Sequence, residues 1–192
     1  MSFDAALLEE ALATLGEVLD ARGHRFEVVA VGGGGLLLLR VIERPTKDLD
    51  LVGVLTPAGL VSAEPLPAEL VSACRDVAAP LGLAPDWINP GPTQLLDLGL
   101  PHGFLARVSK RTFGGLVVHL AARFDQIHFK LYAAVDQGPR SKHFQDLLKL
   151  APTPDELVAA ARWARTHDPS DAFREMLLQA LQALGVEVPD DL

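Results

Sequence analysis

Two aspartates that lie two residues apart, Asp48 and Asp50, are the strongest candidates for chemistry in this 192-residue chain. The string DLDLV over residues 48–52 alternates acidic and apolar residues, so a strand there would place both carboxylates on one face. Two carboxylates on one face repel each other, and partial burial raises the pKa of one of them unless a cation neutralises the pair. The pattern therefore favours divalent cations of the Mg²⁺ type, held by oxygen ligands, and metal-assisted phosphoryl chemistry.

A run of four glycines, Gly32–Gly35, precedes these aspartates and follows a predicted buried strand. Glycine lacks a Cβ, so such a run tolerates unusual backbone dihedrals and lets a bulky ligand approach the backbone. Backbone N–H groups at such a turn can bind the phosphates that arrive with a metal. The largely apolar residues 36–42, LLLLRVI, predict a short helix before the aspartate strand. The alternative is a tight turn beside a solvated pair of carboxylates, which explains each half but not their joint appearance.

The order of glycines, short helix and Asp-x-Asp strand resembles the motif of the nucleotidyltransferase superfamily, whose relatives include DNA polymerase beta and the antibiotic nucleotidyltransferases. The string VGGGGLLLLRVIERPTKDLDL is more narrowly similar to the AbiEii-type toxin branch, in which Gly-Gly leads to Arg-x-Thr-x-Asp-(Leu/Ile)-Asp-Leu. The matching residues here are Arg44, Thr46, Asp48, Leu49, Asp50 and Leu51. Many members carry Gly-Ser where this chain has Gly32-Gly33, so a hydroxyl contact to phosphate is missing.

A second match to the same branch contains Lys130 and Asp146. Lys130 lies in the helical string HFKLYAAVD, and Asp146 follows a loop in the string KHFQDLL. The branch has a Lys-Leu-x-Ala helix, a loop and an Asp-Leu pair, so the resemblance implies that both residues are needed for activity, with Lys130 reaching the nucleotide phosphates. The alternatives are that Lys130 only covers the helix surface and that Asp146 pairs with Lys142, four residues earlier.

A third carboxylate normally completes such metal sites. A strand predicted over residues 83–88 passes through Asp86, and we expect it to lie beside the strand of Asp48. Asp86 is therefore the first candidate for the third metal ligand. Asp146 is the competing candidate, on the resemblance.

The surrounding patterns predict an α+β fold, a mixed β-sheet flanked by helices. Leucines at helical spacing predict a helix over residues 3–21 with Ser2 as its cap, and residues 104–110 and 116–121 predict a hairpin. Asp125 is predicted to cap a helix over residues 126–135. A capping box with Thr153 and Glu156 opens the tail. We expect a nucleotidyltransferase-like domain over residues 1–150 and a C-terminal helical extension over residues 151–192.

Composition limits the location and the partners. The net charge is −8, but residues 101–150 hold eight Lys and Arg against three Asp, a local +5 that can attract a triphosphate or an RNA. No stretch is apolar for long enough to span a bilayer, and the N-terminus lacks a basic-then-apolar signal, so we expect no membrane association. The single Cys74 is predicted to be a buried hydrophobe, and we expect a reducing, cytoplasmic location.

Other common chemical motifs are missing from the sequence. No Gly-Lys-Ser/Thr tripeptide follows Gly35, the third glycine of a dinucleotide-binding fingerprint is replaced by Leu37, and no serine lies in a nucleophile-elbow context. The histidines have no metal-ligand spacing; they are His24, His102, His119, His128, His143 and His167.

The resemblance implies a Mg²⁺-dependent enzyme that transfers a nucleotidyl group from an NTP to a hydroxyl of a tRNA or a protein. Asp48 and Asp50 would hold the metal, Gly32 and Gly33 the triphosphate, and Lys130 would offset charge as pyrophosphate leaves. It also implies the toxin of a toxin–antitoxin pair, with an antitoxin as partner. The alternative is a non-catalytic, nucleotide-binding or interaction module of the same fold.

Overall fold

The structure, a computed structural model, describes residues 2–187 and residue 192 of the chain. The chain divides into two compact units, Met1–Ala121 and Ala122–Leu192. The domain boundary expected after residue 150 falls inside the second unit, and the division into a catalytic domain and a helical extension stays a prediction. Each unit is described by itself below.

The first unit contains the β-sheet and the helices that pack on it. Its elements are α1 (Ala5–Ala21), β1 (Phe26–Val31), α2 (Gly32–Leu38), β2 (Leu49–Thr56), β3 (Gly59–Ser62), α3 (Ala68–Leu81), β4 (Ile88–Asn89), a 3-10 turn (Gly91–Gln94), α4 (Leu95–Leu98), α5 (Phe104–Arg107), β5 (Ser109–Phe113) and β6 (Leu116–Leu120).

The sheet is open and mixed, with strand order β3-β2-β1-β6-β5. β1 runs antiparallel to β2 and parallel to β6, and β5 and β6 form the predicted hairpin. The short β4 pairs parallel with the start of β2. β1 lies in the middle because its apolar, β-branched residues suit burial, and Val28 and Val29 are fully buried. The α+β class and the flanking helices expected from the sequence are confirmed.

Helix α1 illustrates how local sequence sets an element. Its leucines at helical spacing are fully buried, as predicted. The cap is Asp4, whose carboxylate accepts a hydrogen bond from Leu7 N at 2.8 Å, so the predicted cap at Ser2 was wrong. Asp4 wins because its carboxylate lies immediately before the first helical residue, where it reaches an orphan N–H group.

Several predicted elements differ in the structure. The glycines Gly32–Gly35 begin α2 themselves, so the short helix starts four residues earlier than expected and ends at Leu38. The strand predicted over residues 83–88 shrinks to Ile88–Asn89. In the segment 104–110, residues Phe104–Arg107 are helical and the strand begins only at Ser109. A short apolar run fits a strand or a buried helical turn equally well, so periodicity alone could not distinguish the two.

The second unit consists of helices. They are α6 (Arg123–Gln137), α7 (Lys142–Leu150), α8 (Pro154–His167) and α9 (Asp171–Ala183). Helix α6 packs against the other three. The predicted capping box of Thr153 and Glu156 at the start of α8 is confirmed. The predicted cap at Asp125 was wrong, because Asp125 lies within the first turn of α6 and is fully buried.

Arg123 connects the ends of three of these helices. Its guanidinium donates to both carboxylate oxygens of Glu156, at 2.6 and 3.0 Å. The same side chain donates to the backbone oxygens of Leu150 and Ala151, at 2.8 and 2.7 Å. The bidentate contact fixes the start of α6 against the end of α7 and the start of α8, because a planar guanidinium matches a carboxylate and two carbonyls at once.

Two features bear on location. None of the helices in residues 2–187 is long and apolar enough to cross a bilayer. Cys74 is buried on α3, as predicted, and burial raises the pKa of its thiol to about 12.

We expect Glu156→Gln to destabilise the protein near neutral pH by about 1 kcal/mol, because it replaces a charge-assisted bidentate contact by neutral hydrogen bonds. The hydrogen bonds from Arg123 hold the pKa of Glu156 below its ordinary value. The stabilisation is therefore present above the ordinary pKa and is lost as the pH falls through the lowered pKa. Thermal unfolding from pH 7 to pH 3 should show the two proteins converging at acid pH. A gap that stays constant would contradict this assignment.

Candidate active site

The glycine run and the aspartates meet at one contact. Gly32 follows β1 with a φ of +70°, and a Cβ placed on it would lie 2.7 Å from Asp50 Oδ2. A residue other than glycine at this position is therefore excluded twice, by backbone conformation and by the carboxylate. The sequence indicated only that the glycine turn and the Asp-x-Asp strand are close in the chain. In the structure the Asp50 side chain lies against the backbone of the glycine turn.

The next two glycines pack against the segment that leads into β2. A Cβ on Gly33 would lie 3.0 Å from Thr46 Oγ1 and 3.4 Å from Arg44 Nη2. A Cβ on Gly34 would lie 2.8 Å from the backbone oxygen of Asp48. The Thr46 hydroxyl thus lies beside Gly33, where many relatives of the resembled branch carry a serine. Close packing alone explains why these two positions are glycine.

The aspartates flank the first residue of β2. Leu49 and Leu51 are fully buried, whereas Asp48 and Asp50 are half-buried, so the predicted alternation of core and exposed residues is confirmed. The Thr46 hydroxyl lies 3.3 Å from the backbone oxygen of Asp48. No hydrogen bond or ion pair from the described residues reaches the side chain of Asp48. A half-buried carboxylate without such a partner is a candidate ligand for a cation.

The neighbour of Asp50 on the next strand is Asn89, not Asp86. β4 does lie beside β2, as expected, and its Asn89 is directly opposite Asp50 in a parallel register. Directly paired residues point to the same face of a sheet, so the amide of Asn89 accompanies the carboxylate of Asp50. Asp86 is exposed in the turn before β4, because the strand begins only at Ile88, five residues later than predicted. The role of Asp86 as a metal ligand stays a prediction.

The donors at this edge of the sheet fit a hard cation. Mg²⁺ prefers carboxylate and amide oxygens, and Asp48, Asp50 and Asn89 supply these. Asn89 Oδ1 accepts a hydrogen bond from Gly91 N at 2.9 Å and retains a second lone pair. Among the residues that the structure describes, no group of three or more His, Cys, Asp or Glu side chains is arranged to hold a metal. A metal here would rest on the two aspartates, with Asn89 or water completing its shell.

Lys130 and Asp146 form a buried ion pair within the second unit. Lys130 Nζ donates to Asp146 Oδ2 at 2.7 Å, and the two side chains are 3% and 1% exposed. Lys130 therefore does not cover a helix surface, and Asp146 pairs with Lys130 rather than with Lys142. The structure brings together the two residues that the second sequence match singled out. Whether they act in catalysis stays a prediction.

Sequence reasoning missed Asn89 as a neighbour of Asp50. The string around it, NPGP, was interpreted only as a break in the chain. An asparagine before Pro-Gly signals a turn, and here its side chain does cap that turn through Gly91 N. Its pairing with β2 spans two residues, which is too short for a periodic pattern.

Comparison of this chain with known protein families, with curated proteins and with solved structures gives no match. The fold and the site are therefore interpreted on their own geometry.

We expect Gly32→Ala to destabilise the protein by more than a left-handed backbone alone would, about 1–3 kcal/mol. Gly23→Ala is the matched control, because Gly23 has a φ of +73° and no atom within 4 Å of its Cβ position. Chemical denaturation should show a larger loss for Gly32→Ala. The excess should shrink in an Asp50→Ala background, where the colliding oxygens are gone. Equal losses at both glycines would show that the Asp50 contact carries no energy.

Lys130→Met should destabilise the protein by about 3–5 kcal/mol, because it leaves the Asp146 carboxylate buried without the ammonium. The double variant Lys130→Met/Asp146→Leu should recover much of that loss, since a buried ion pair can be replaced by apolar side chains at little cost. Lys149→Met, at an exposed site on α7, serves as control and should change stability by less than about 0.5 kcal/mol. A Lys130→Met protein as stable as this control would show that the pair is not buried in solution.

Proposed function

We propose that this protein is a Mg²⁺-dependent nucleotidyltransferase, which moves a nucleotidyl group from an NTP to a hydroxyl acceptor. The observation that carries the proposal is the contact of the Asp50 carboxylate with Gly32, beside a half-buried Asp48. Two half-buried carboxylates on either side of one buried strand residue can both serve as oxygen ligands of a hard cation. Their position beside a run of glycine N–H groups suits a ligand that brings both phosphate and metal.

Each residue has a defined task in this proposal. Asp48 and Asp50 hold the metal, which when bound offsets charge on the phosphates and lowers the pKa of the acceptor hydroxyl. Gly32 and Gly33 face the triphosphate with their backbone rather than with side chains. The acceptor hydroxyl gives up its proton to solvent water as its oxygen forms a bond to the α-phosphorus. The bond from the α-phosphorus to the oxygen that bridges to the β-phosphate breaks, and pyrophosphate leaves.

Lys130 and Asp146 keep the roles that the resemblance implies, with Lys130 offsetting phosphate charge. The ion pair supports this in one respect, because the Asp146 carboxylate fixes the direction of the ammonium. A lysine held in this way loses little conformational freedom when it meets an anion. The acceptor, a tRNA end or a protein hydroxyl, belongs to the proposal as well, as does an antitoxin partner. The basic segment 101–150 supports an anionic acceptor.

A non-catalytic nucleotide-binding module is the second candidate. The crowding around Gly33 favours it, because Thr46 and Arg44 already occupy the space where relatives carry a hydroxyl. Such a module would bind NTP with Mg²⁺ and would turn over no acceptor. An enzyme would release pyrophosphate when supplied with total cellular RNA or a lysate.

We expect Asp48→Asn and Asp50→Asn each to lower nucleotidyl transfer by about 10²–10³ or more, because each removes a carboxylate that would hold the metal offsetting phosphate charge. Asp97→Asn is the matched control, since Asp97 is exposed on α4 of the same unit. Transfer is measured as label from each α-³²P NTP incorporated into RNA or protein, with and without EDTA. Asp86→Asn in the same assay tests the third predicted ligand. Activity within tenfold of the parent for either Asp48→Asn or Asp50→Asn would refute the metal assignment.

A further inference from the structure

A row of three charged or titratable side chains crosses the sheet of the first unit. His119 on β6 lies 2.7 Å from Glu27 on β1, measured from Nε2 to Oε2. Lys110 on β5 is directly opposite His119, and its Nζ lies 3.9 Å from the same Glu27 oxygen. The His119 side chain is 12% exposed, much less than those of Glu27 at 46% and Lys110 at 54%. The imidazole is therefore the sheltered member of the row.

Strand register places this row on the face of the sheet that carries Asp50. His119 pairs with Val29, and Asp50 pairs with Val31. Val29 and Val31 are two residues apart on β1, so all four side chains lie on one face. From strand spacing, the Cα atoms of Asp50 and His119 are about 12 Å apart. That separation is too long for a shared metal ion and is comparable with the length of a phosphate and a sugar.

The Glu27 contact determines what His119 can do. The hydrogen bond with His119 is the main cause that holds the pKa of Glu27 below its ordinary value, so the carboxylate is ionised and can only accept. His119 Nε2 therefore carries the proton that it donates. In a neutral imidazole the other nitrogen, Nδ1, is then an acceptor, to which no described residue donates a hydrogen bond. The pair presents a fixed acceptor suited to a hydroxyl group.

A purely structural explanation of the pair accounts for little. A hydrogen bond from an imidazole to a carboxylate that is about half exposed contributes about 0–1 kcal/mol, and a β-branched apolar residue at position 119 would suit the strand at least as well. Sheltering an imidazole and fixing its tautomer adds nothing to a sheet, but it prepares a recognition group.

We propose that His119, oriented by Glu27, accepts a hydrogen bond from the 2′-hydroxyl of the nucleotide's ribose, so that the protein selects ribonucleotides over deoxyribonucleotides. The inference rests on the proposed nucleotidyltransferase function. It assigns to the site a substrate class, the ribonucleoside triphosphates, and a positioning residue, His119, outside the glycines and aspartates.

The test compares the dissociation constants of ATP, GTP, CTP and UTP with those of their 2′-deoxy forms, measured by calorimetry with Mg²⁺. We expect a single neutral hydrogen bond to the 2′-hydroxyl to make the parent protein bind its ribonucleotide about threefold to tenfold more tightly than the 2′-deoxy form. His119→Phe keeps a ring at the position but has no acceptor, and should bind both forms of the nucleotide equally. His24→Phe is the matched control, because His24 also lies in the first unit and stacks on Phe26, and should keep the parent's preference.

Glu27→Gln is the second variant and covers the case in which His119→Phe does not fold. A glutamine amide can donate as well as accept, so the tautomer of His119 is no longer fixed and the preference should fall part of the way. A parent protein that binds a ribonucleotide and its 2′-deoxy form equally, or a His119→Phe variant that keeps the preference, would overturn this inference and leave the proposed function intact. A parent that binds none of the nucleotides would overturn both.

Discussion

The structure of the first unit depends on the close approach of Asp50 to the backbone of Gly32. Because the backbone at Gly32 is left-handed and a Cβ there would lie 2.7 Å from Asp50 Oδ2, the turn after β1 strongly favours glycine. The buried leucines on either side of Asp50 then fix the register, since a shift of one residue would place the carboxylate in the core. A loose surface turn next to an acidic strand would require none of this. The contact therefore explains both the fold around the site and the selection of residues in it.

The second unit has a comparable constraint in the ion pair of Lys130 and Asp146. Removing two charges from water costs several kcal/mol, and the pair recovers that only when both members are present. Loss of activity in a variant of either residue is therefore ambiguous, because the variant also leaves an uncompensated charge in a helical core. Measuring the stability of each variant beside its activity separates the two effects.

The sequence predicted those features that are encoded locally. The capping box of Thr153, the amphipathic α1 and the alternation around Asp50 each follow from the spacing of a few residues, and each is confirmed. Features that depend on distant partners were missed. The two-residue β4 carries no periodicity, so Asp86 was placed on a strand and Asn89 was overlooked. The burial of Lys130 depends on α7, and a lysine in an amphipathic helix looks the same in sequence whether it faces solvent or a carboxylate. The His119 pair was invisible because its members are far apart in the chain and meet only across parallel strands.

The buried thiol of Cys74 has a practical consequence. Its pKa of about 12 leaves almost none of it as thiolate at neutral pH, and the Trp87 side chain donates a hydrogen bond to its backbone oxygen at 3.1 Å. Alkylating reagents react with thiolates that they can reach, so modification of Cys74 has to wait until α3 moves away from the residues that bury it, including those of α1. The rate of that modification therefore measures how often the first unit opens around Cys74. Since the chain has no other cysteine, alkylation can be followed in the unaltered protein and reports on this one site.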